Sequence, residues 1–217
     1  MYSIDPSLFG IAESKRSDGP DADDEGVFFI AGVDEAGRGA LAGPVVAGAV
    51  ILPENPRINN LADSKALTPL QREEIYSIIF ERAASVGLGI VSARVVDEIN
   101  VLNATLLAMV RAVRRMEVIP QYVLVDGDKK IPVSIPQAAV VRGDIDVPVI
   151  SAASVVAKVY RDAIMERLDD EYPGYGFKNN KGYATLDHKK ALERMGPARC
   201  HRFTYRPVRE VSRRFAL

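Results

Sequence analysis

Apolar residues fall in five short runs along the chain, separated by segments of a different rhythm. The first runs from Phe28 to Val33 and the second from Pro44 to Leu52; both are rich in β-branched and small apolar residues and predict buried strands. The few residues between them suit a long β-hairpin. "VGLGIVSA" predicts a third strand, "QYVLVDG" at Gln121–Gly127 a fourth, and "QAAVVRGD" at Gln137–Asp144 a fifth. Helices are expected between and after them. Thr68 can cap one, with Pro69 at its first position, running to about Ser85. "VVDEINVLNATLLAMVRAVRRM" predicts a short helix and a longer one capped by Asn103. A long helix begins at Ser151, with Ala and Ser positions that permit close packing on a sheet, and another lies near Leu186–Met195. A meander of three strands followed by strands separated by helices predicts an α/β fold with a mixed five-stranded sheet.

Composition narrows the class. A chain of 217 residues with 47% hydrophobic and 26% charged residues has the balance of a globular protein,. No apolar run approaches the roughly 20 residues of a membrane helix, and the first 26 residues lack the pattern of a secretion signal,. The lone Cys200 excludes an intrachain disulfide and a cysteine-based zinc site. A cytoplasmic setting with reduced thiols and no membrane partner is therefore expected, with a monomer as the default. Net charge is −1, but its distribution is uneven. Residues 1–26 are acidic and broken by Gly and Pro, which predicts a disordered extension. The tail carries Arg194, Arg199, Arg202, Arg206, Arg209, Arg213 and Arg214, either a solvated surface or a stripe for phosphates.

The candidate chemistry lies where the apolar runs stop. The first leads into "GVDEAGRG", with Asp34 and Glu35 adjacent; the fourth stops at Asp126 and the fifth at Asp144. A single acid at a strand end is ordinary turn chemistry, but strand ends of one sheet can converge on one rim. Two carboxylates about 4 Å apart repel by about 4 kcal/mol at an effective dielectric near 20, so a cluster calls for a cation or a proton. Oxygen-only ligation suits Mg²⁺ or Mn²⁺ rather than zinc or copper. Two such ions can stabilise the attacking and leaving oxygens of a phosphodiester. These residues predict a metal nuclease or a related phosphoryl-transfer enzyme.

The motifs "GVDEAGRGALAGPVVAGAVIL", "LADSKALT", "LVDG", "RGDIDVPVISAASVVAKVYRD", "YPGYGFKNNKGYAT" and "HRFTYRPV", in that order, resemble type 2 ribonuclease H (ribonuclease HII) from about Phe28 to Val208. The resemblance implies a ribonuclease-H-like catalytic domain over residues 27–185, with a C-terminal helix and basic tail over 186–217 packed on it. It implies hydrolysis of the RNA strand of RNA–DNA hybrids and incision 5′ to single ribonucleotides in duplex DNA, leaving 5′-phosphate and 3′-hydroxyl ends. Two Mn²⁺ or Mg²⁺ ions would be held by Asp34, Glu35, Asp126 and Asp144, with Asp34 bridging, Glu35 and Asp126 completing one site and Asp144 the other. Gly37, Arg38 and Gly39 would contact the 2′-hydroxyl, the group that distinguishes RNA from DNA, and its phosphate. Tyr183 would pack on the sugar at the ribo-to-deoxyribo junction, and Lys65 would contact phosphate, a role Lys181 could share.

Two positions depart from the family pattern: Asn180 stands where His is frequent, and Arg142 where Lys is frequent. His188 and His201 have no evident ligand role, and the segment headed by His201 is expected to pack the tail. Three rivals remain. Type 3 ribonuclease H usually has Lys in the turn and a further N-terminal domain. A structure-selective DNA nuclease would lack the Gly-Arg-Gly turn. A silent hybrid-binding protein would lack a metal carboxylate.

Overall fold

The computed structural model describes residues 28–54, 58, 61 and 67–215. The acidic extension, most of the loop after the second strand and Lys65 lie outside them. One five-stranded sheet forms the centre, built from β1 (Ile30–Ala36), β2 (Val45–Ile51), β3 (Ser85–Val91), β4 (Tyr122–Asp126) and β5 (Gln137–Val140), in the order β3-β2-β1-β4-β5. β2 pairs antiparallel with β1 and β3, whereas β4 runs parallel to both β1 and β5. This is the mixed sheet that the hydrophobic pattern predicts.

Helices cover both faces. α1 (Pro69–Arg82) starts with a capping box in which the Thr68 hydroxyl accepts the Gln71 amide at 3.3 Å and the Gln71 side chain accepts the Thr68 amide at 3.0 Å,. α2 (Ala93–Arg114) is two helices joined at Asn100, which takes φ 64 and ψ 165. The expected cap at Asn103 is one turn out: Asn100 Oδ1 accepts the Asn103 amide at 3.1 Å. α2 seals one face over Val33, Val45, Ala47 and Val123. α3 (Gly143–Asp146) and α4 (Pro148–Glu171) follow β5, and α4 with α1 covers the other face over Val50. α4 starts at Pro148 rather than Ser151, because Pro fits the first helical turn and the Ser151 hydroxyl back-bonds to the carbonyls of Asp144 and Val147 at 2.7 and 3.2 Å.

At two points the sheet meets the α4 backbone too closely for any side chain. A Cβ on Gly32 would sit 2.3 Å from the Val149 carbonyl, and one on Gly48 would sit 2.5 Å from the Ala153 oxygen. Beyond α4 come α5 (Phe177–Asn180), α6 (Leu186–Met195) and α7 (Arg206–Phe215). The end of the basic tail is therefore a helix, anchored by Val208 and Val211 against Leu41 and Leu192. Arg202 leaves the predicted basic stripe altogether, being fully buried. Among the described residues no helix is long and apolar enough to cross a membrane.

Candidate active site

β1 reaches further than its apolar run. Asp34 and Glu35 lie inside it, paired with Gly48 and Ala47 of β2, so these acids belong to the ladder instead of following it. Parallel pairing sets Val33 opposite Val125, which leaves Asp34 and Asp126 at the same end of neighbouring strands. The carboxyl ends of parallel strands are where α/β sheets place their chemistry.

Asp144 reaches that end by a different route. The apolar pattern predicts a strand continuing to Asp144, but β5 stops at Val140. Arg142 turns left-handed at φ 61 and ends the pairing, so Asp144 sits in the first turn of α3. Its backbone amide then donates to Asp126 Oδ1 at 3.2 Å. The structure thus gathers Asp34, Glu35, Asp126 and Asp144 at one edge. Among the described residues, no three acidic, imidazole or thiol groups are closed around a point where an ion would sit.

The electrostatics are those of crowded, desolvated acids. Asp34 is buried, and burial, followed by the charges of Glu35 and Asp126, drives its pKa well above the ordinary carboxylate value, against a hydrogen bond from Ser154. Burial also raises Glu35, with Asp126 adding to the rise and Arg38 opposing it across a 3.4 Å ion pair. That pair offsets little, since the Arg38 side chain is half exposed,.

Of the acids, Glu35 opens onto a cleft of about 380 Å³ that is also lined by the Gly37–Gly39 turn, Lys158 and Tyr183. Tyr183 is 37% exposed, with the Lys158 ammonium 5.9 Å and the Arg161 guanidinium 5.2 Å from its ring centre. The turn and the aromatic ring, 144 residues apart by the numbering of Gly39 and Tyr183, therefore share one wall. Lys181 is engaged elsewhere, 2.7 Å from Glu166.

Three lining residues are not among the site residues named from the sequence: Arg72, and Ser154 and Lys158, which sit within the motif that begins at Arg142. Lys158 and Ser154 share α4 at i and i+4, a spacing that puts both on one face. Asn180, the first departure, is a loop fastener. Its side chain donates to the Tyr175 carbonyl at 2.7 Å and accepts the Gly182 amide at 2.8 Å, shaping the approach to Tyr183. Arg142, the second, contributes its left-handed backbone to the turn before α3.

His188 and His201 are buried and joined, Nε2 to Nε2, at 3.1 Å. One set of tautomers connects the Ala198 amide to the Tyr183 carbonyl, although it leaves the Ala198 carbonyl 3.2 Å from His201 Nδ1 with no proton between them. The Ala198 amide donates to His201 Nδ1 at 3.1 Å, His201 Nε2–H donates to His188 Nε2, and His188 Nδ1–H donates to the Tyr183 carbonyl at 2.8 Å. The tail segment thus does more than pack: it ends on the backbone of Tyr183.

An α/β sheet with carboxylates at the ends of adjacent parallel strands, opening on a cleft with basic and aromatic walls, defines a hydrolase for a phosphodiester substrate. Residues 31–208 match the family described as Ribonuclease HII. Ribonuclease HII of Geotalea daltonii is 50% identical over 186 residues, covering 86% of each chain. That of Bacillus velezensis is 51% identical over 184 residues, covering 85% of this chain and 72% of its own. The crystal structure of ribonuclease H2 from Pyrococcus horikoshii OT3 superposes with a TM-score of 0.76 at 29% identity, covering 87% of this chain and 99% of that one. The chain belongs to the ribonuclease HII family, the type 2 ribonuclease H endonucleases.

Proposed function

We propose that this endoribonuclease of RNA–DNA hybrids also incises duplex DNA on the 5′ side of a single embedded ribonucleotide, leaving 5′-phosphate and 3′-hydroxyl ends. The observation that carries the proposal is the meeting of Asp34, Glu35 and Asp126 with the Gly37–Gly39 turn and Tyr183 at one edge of the sheet.

The donor set fits a hard divalent cation. The groups are carboxylate oxygens, crowded enough that burial and mutual repulsion favour a neutralising partner,. Asp34, Glu35, Asp126 and Asp144 would hold Mg²⁺ or Mn²⁺. Two such ions supply activation of the attacking water and charge stabilisation at the leaving oxygen. The protein's own part is to orient. The Asp144 amide fixes one Asp126 oxygen, and the Glu35 amide fixes Asp34 Oδ1 at 2.7 Å. Gly37, Arg38 and Gly39 read the ribose 2′-hydroxyl and its phosphate at close range, because flanking glycines remove the Cβ barrier. Tyr183 supplies a ring for the sugar at the junction with DNA. Lys158 and Arg72 add positive charge along the phosphate path. Lys65, outside the described residues, is assigned a phosphate contact on its motif alone. The cytoplasm is the compartment this activity and the reduced Cys200 fit.

The test is a DNA duplex carrying one ribonucleotide, incubated with Mg²⁺ or Mn²⁺ beside an all-DNA duplex. Incision 5′ to the ribonucleotide and none in the control is expected. Equal cutting of both removes sugar recognition, and cutting of neither refutes incision at a lone ribonucleotide.

A further inference from the structure

Arg202 is a buried cation with no acid in its hydrogen-bonding shell. Its Nε donates to the Gly43 carbonyl at 3.2 Å; Nη1 to the Arg38 carbonyl and the Tyr205 hydroxyl at 2.8 and 3.0 Å; Nη2 to the Gly37 and Gly43 carbonyls at 2.7 and 3.0 Å. A guanidinium has five N–H groups in a fixed fork, and here all five are used on neutral oxygens. The Tyr205 hydroxyl in turn donates to the Arg38 carbonyl at 2.7 Å. Arg161, equally buried, backs the same loop through the carbonyls of Ala42, Pro44 and Lys181.

Packing alone does not account for this choice. Burying a cation without a counter-ion is costly, and apolar side chains of similar volume commonly serve a core as well or better. What an apolar residue cannot do is pull carbonyls inward. The described residues contain no cis peptide bonds, and in a planar trans peptide the C=O and the following N–H point in opposite directions. Drawing the Gly37 and Arg38 oxygens toward Arg202 turns the Arg38 and Gly39 amides to the other side of the turn, the side of the cleft that these residues line.

We propose that Arg202 and Tyr205 are positioning residues for sugar selection, gripping the Gly37 and Arg38 carbonyls so that the Arg38 and Gly39 amides are preset toward the ribose 2′-hydroxyl. This rests on the reading of the turn as the sugar-contacting element. Such preset dipoles need no reorganisation when substrate arrives.

The test compares wild type, Tyr205→Phe and Arg202→Lys by steady-state kinetics on the one-ribonucleotide duplex, with the all-DNA duplex as competitor. Tyr205→Phe keeps the ring and deletes only the hydroxyl, so folding should survive. Losing one hydrogen bond should raise KM about fivefold, while kcat changes by less than about twofold and the all-DNA inhibition constant is unchanged. Arg202→Lys has no fork and should lose more in the same direction. An unchanged KM in Tyr205→Phe overturns the proposal. So does a KM that rises together with the all-DNA inhibition constant, or a fall in kcat at constant KM. A wild-type enzyme that does not prefer the ribonucleotide duplex refutes the reading of the turn itself, before any variant is compared.

Discussion

The acidic edge and the recognition wall lie side by side but are held by opposite means. Asp34, Glu35 and Asp126 sit on strands whose positions the ladder fixes, and their mutual repulsion is left largely uncompensated by the protein. The Gly37–Gly39 turn and Tyr183 sit on loops, and each is tied from behind by a saturated hydrogen-bond network through Arg202, Tyr205, His188 and His201. Rigid elements can carry charge in an unfavourable arrangement, whereas loops that read a substrate must borrow rigidity from buried polar side chains.

The largest effect should come from the acidic edge. Asp34→Asn is expected to lower kcat by at least about 10³-fold while raising the melting temperature of the metal-free protein by a few degrees, since it removes a buried repulsive charge. Measuring activity and thermal unfolding on the same sample checks both. A loss of stability would mean that the edge is not strained. On the recognition wall, Tyr183→Ala should cost about 10- to 100-fold at a lone ribonucleotide, in line with the worth of a stacked ring, and less on a long hybrid. Equal losses on both substrates would detach Tyr183 from the junction.

The two regions should also respond to pH with opposite sign. Burial and His188 push the pKa of His201 down to about 4, against about 6.5 in an unfolded chain. Between these values only the unfolded chain takes the proton, so stability is complete above about pH 6.5 and falls on acidification. The loss from His201 should be about 2 kcal/mol from pH 7 to pH 5. Asp34 runs the other way: its raised folded pKa makes the metal-free protein lose stability as pH rises above the ordinary carboxylate range,. Denaturant midpoints across pH should therefore show a shallower acid limb in His201→Asn, with His188 accounting for part of what remains, and lose their alkaline slope in Asp34→Asn or on adding Mg²⁺. If neither slope responds, the contrast between the regions fails.

The acidic edge is largely legible in the sequence and its supports are not. Apolar runs mark all five strands, and three of the four acids lie where those runs give out. The pattern understates the extent of β1 because Asp and Glu are poor strand formers, although the partner strand places Gly48 and Ala47 opposite them,. Asp144 reads as a strand end because the apolar residues Val140 and Val141 resemble a continuing strand, and nothing before Arg142 announces a left-handed residue. Arg161 and Arg202 are hidden by the sound expectation that arginine is exposed. A signal exists for the first: Ala157, Arg161 and Met165 recur every four residues on the buried face of α4. His188 and His201 give no such clue, since their partnership spans α6 and the loop beyond it.

The brace at Arg202 stands 165 residues downstream of the glycine it grips. During synthesis the five strands and the four acids are made before Arg202, so under the proposed role of the turn its brace is completed after the acidic edge. A polypeptide halted before residue 202 would hold the four acids with the Gly37 and Arg38 carbonyls unbraced.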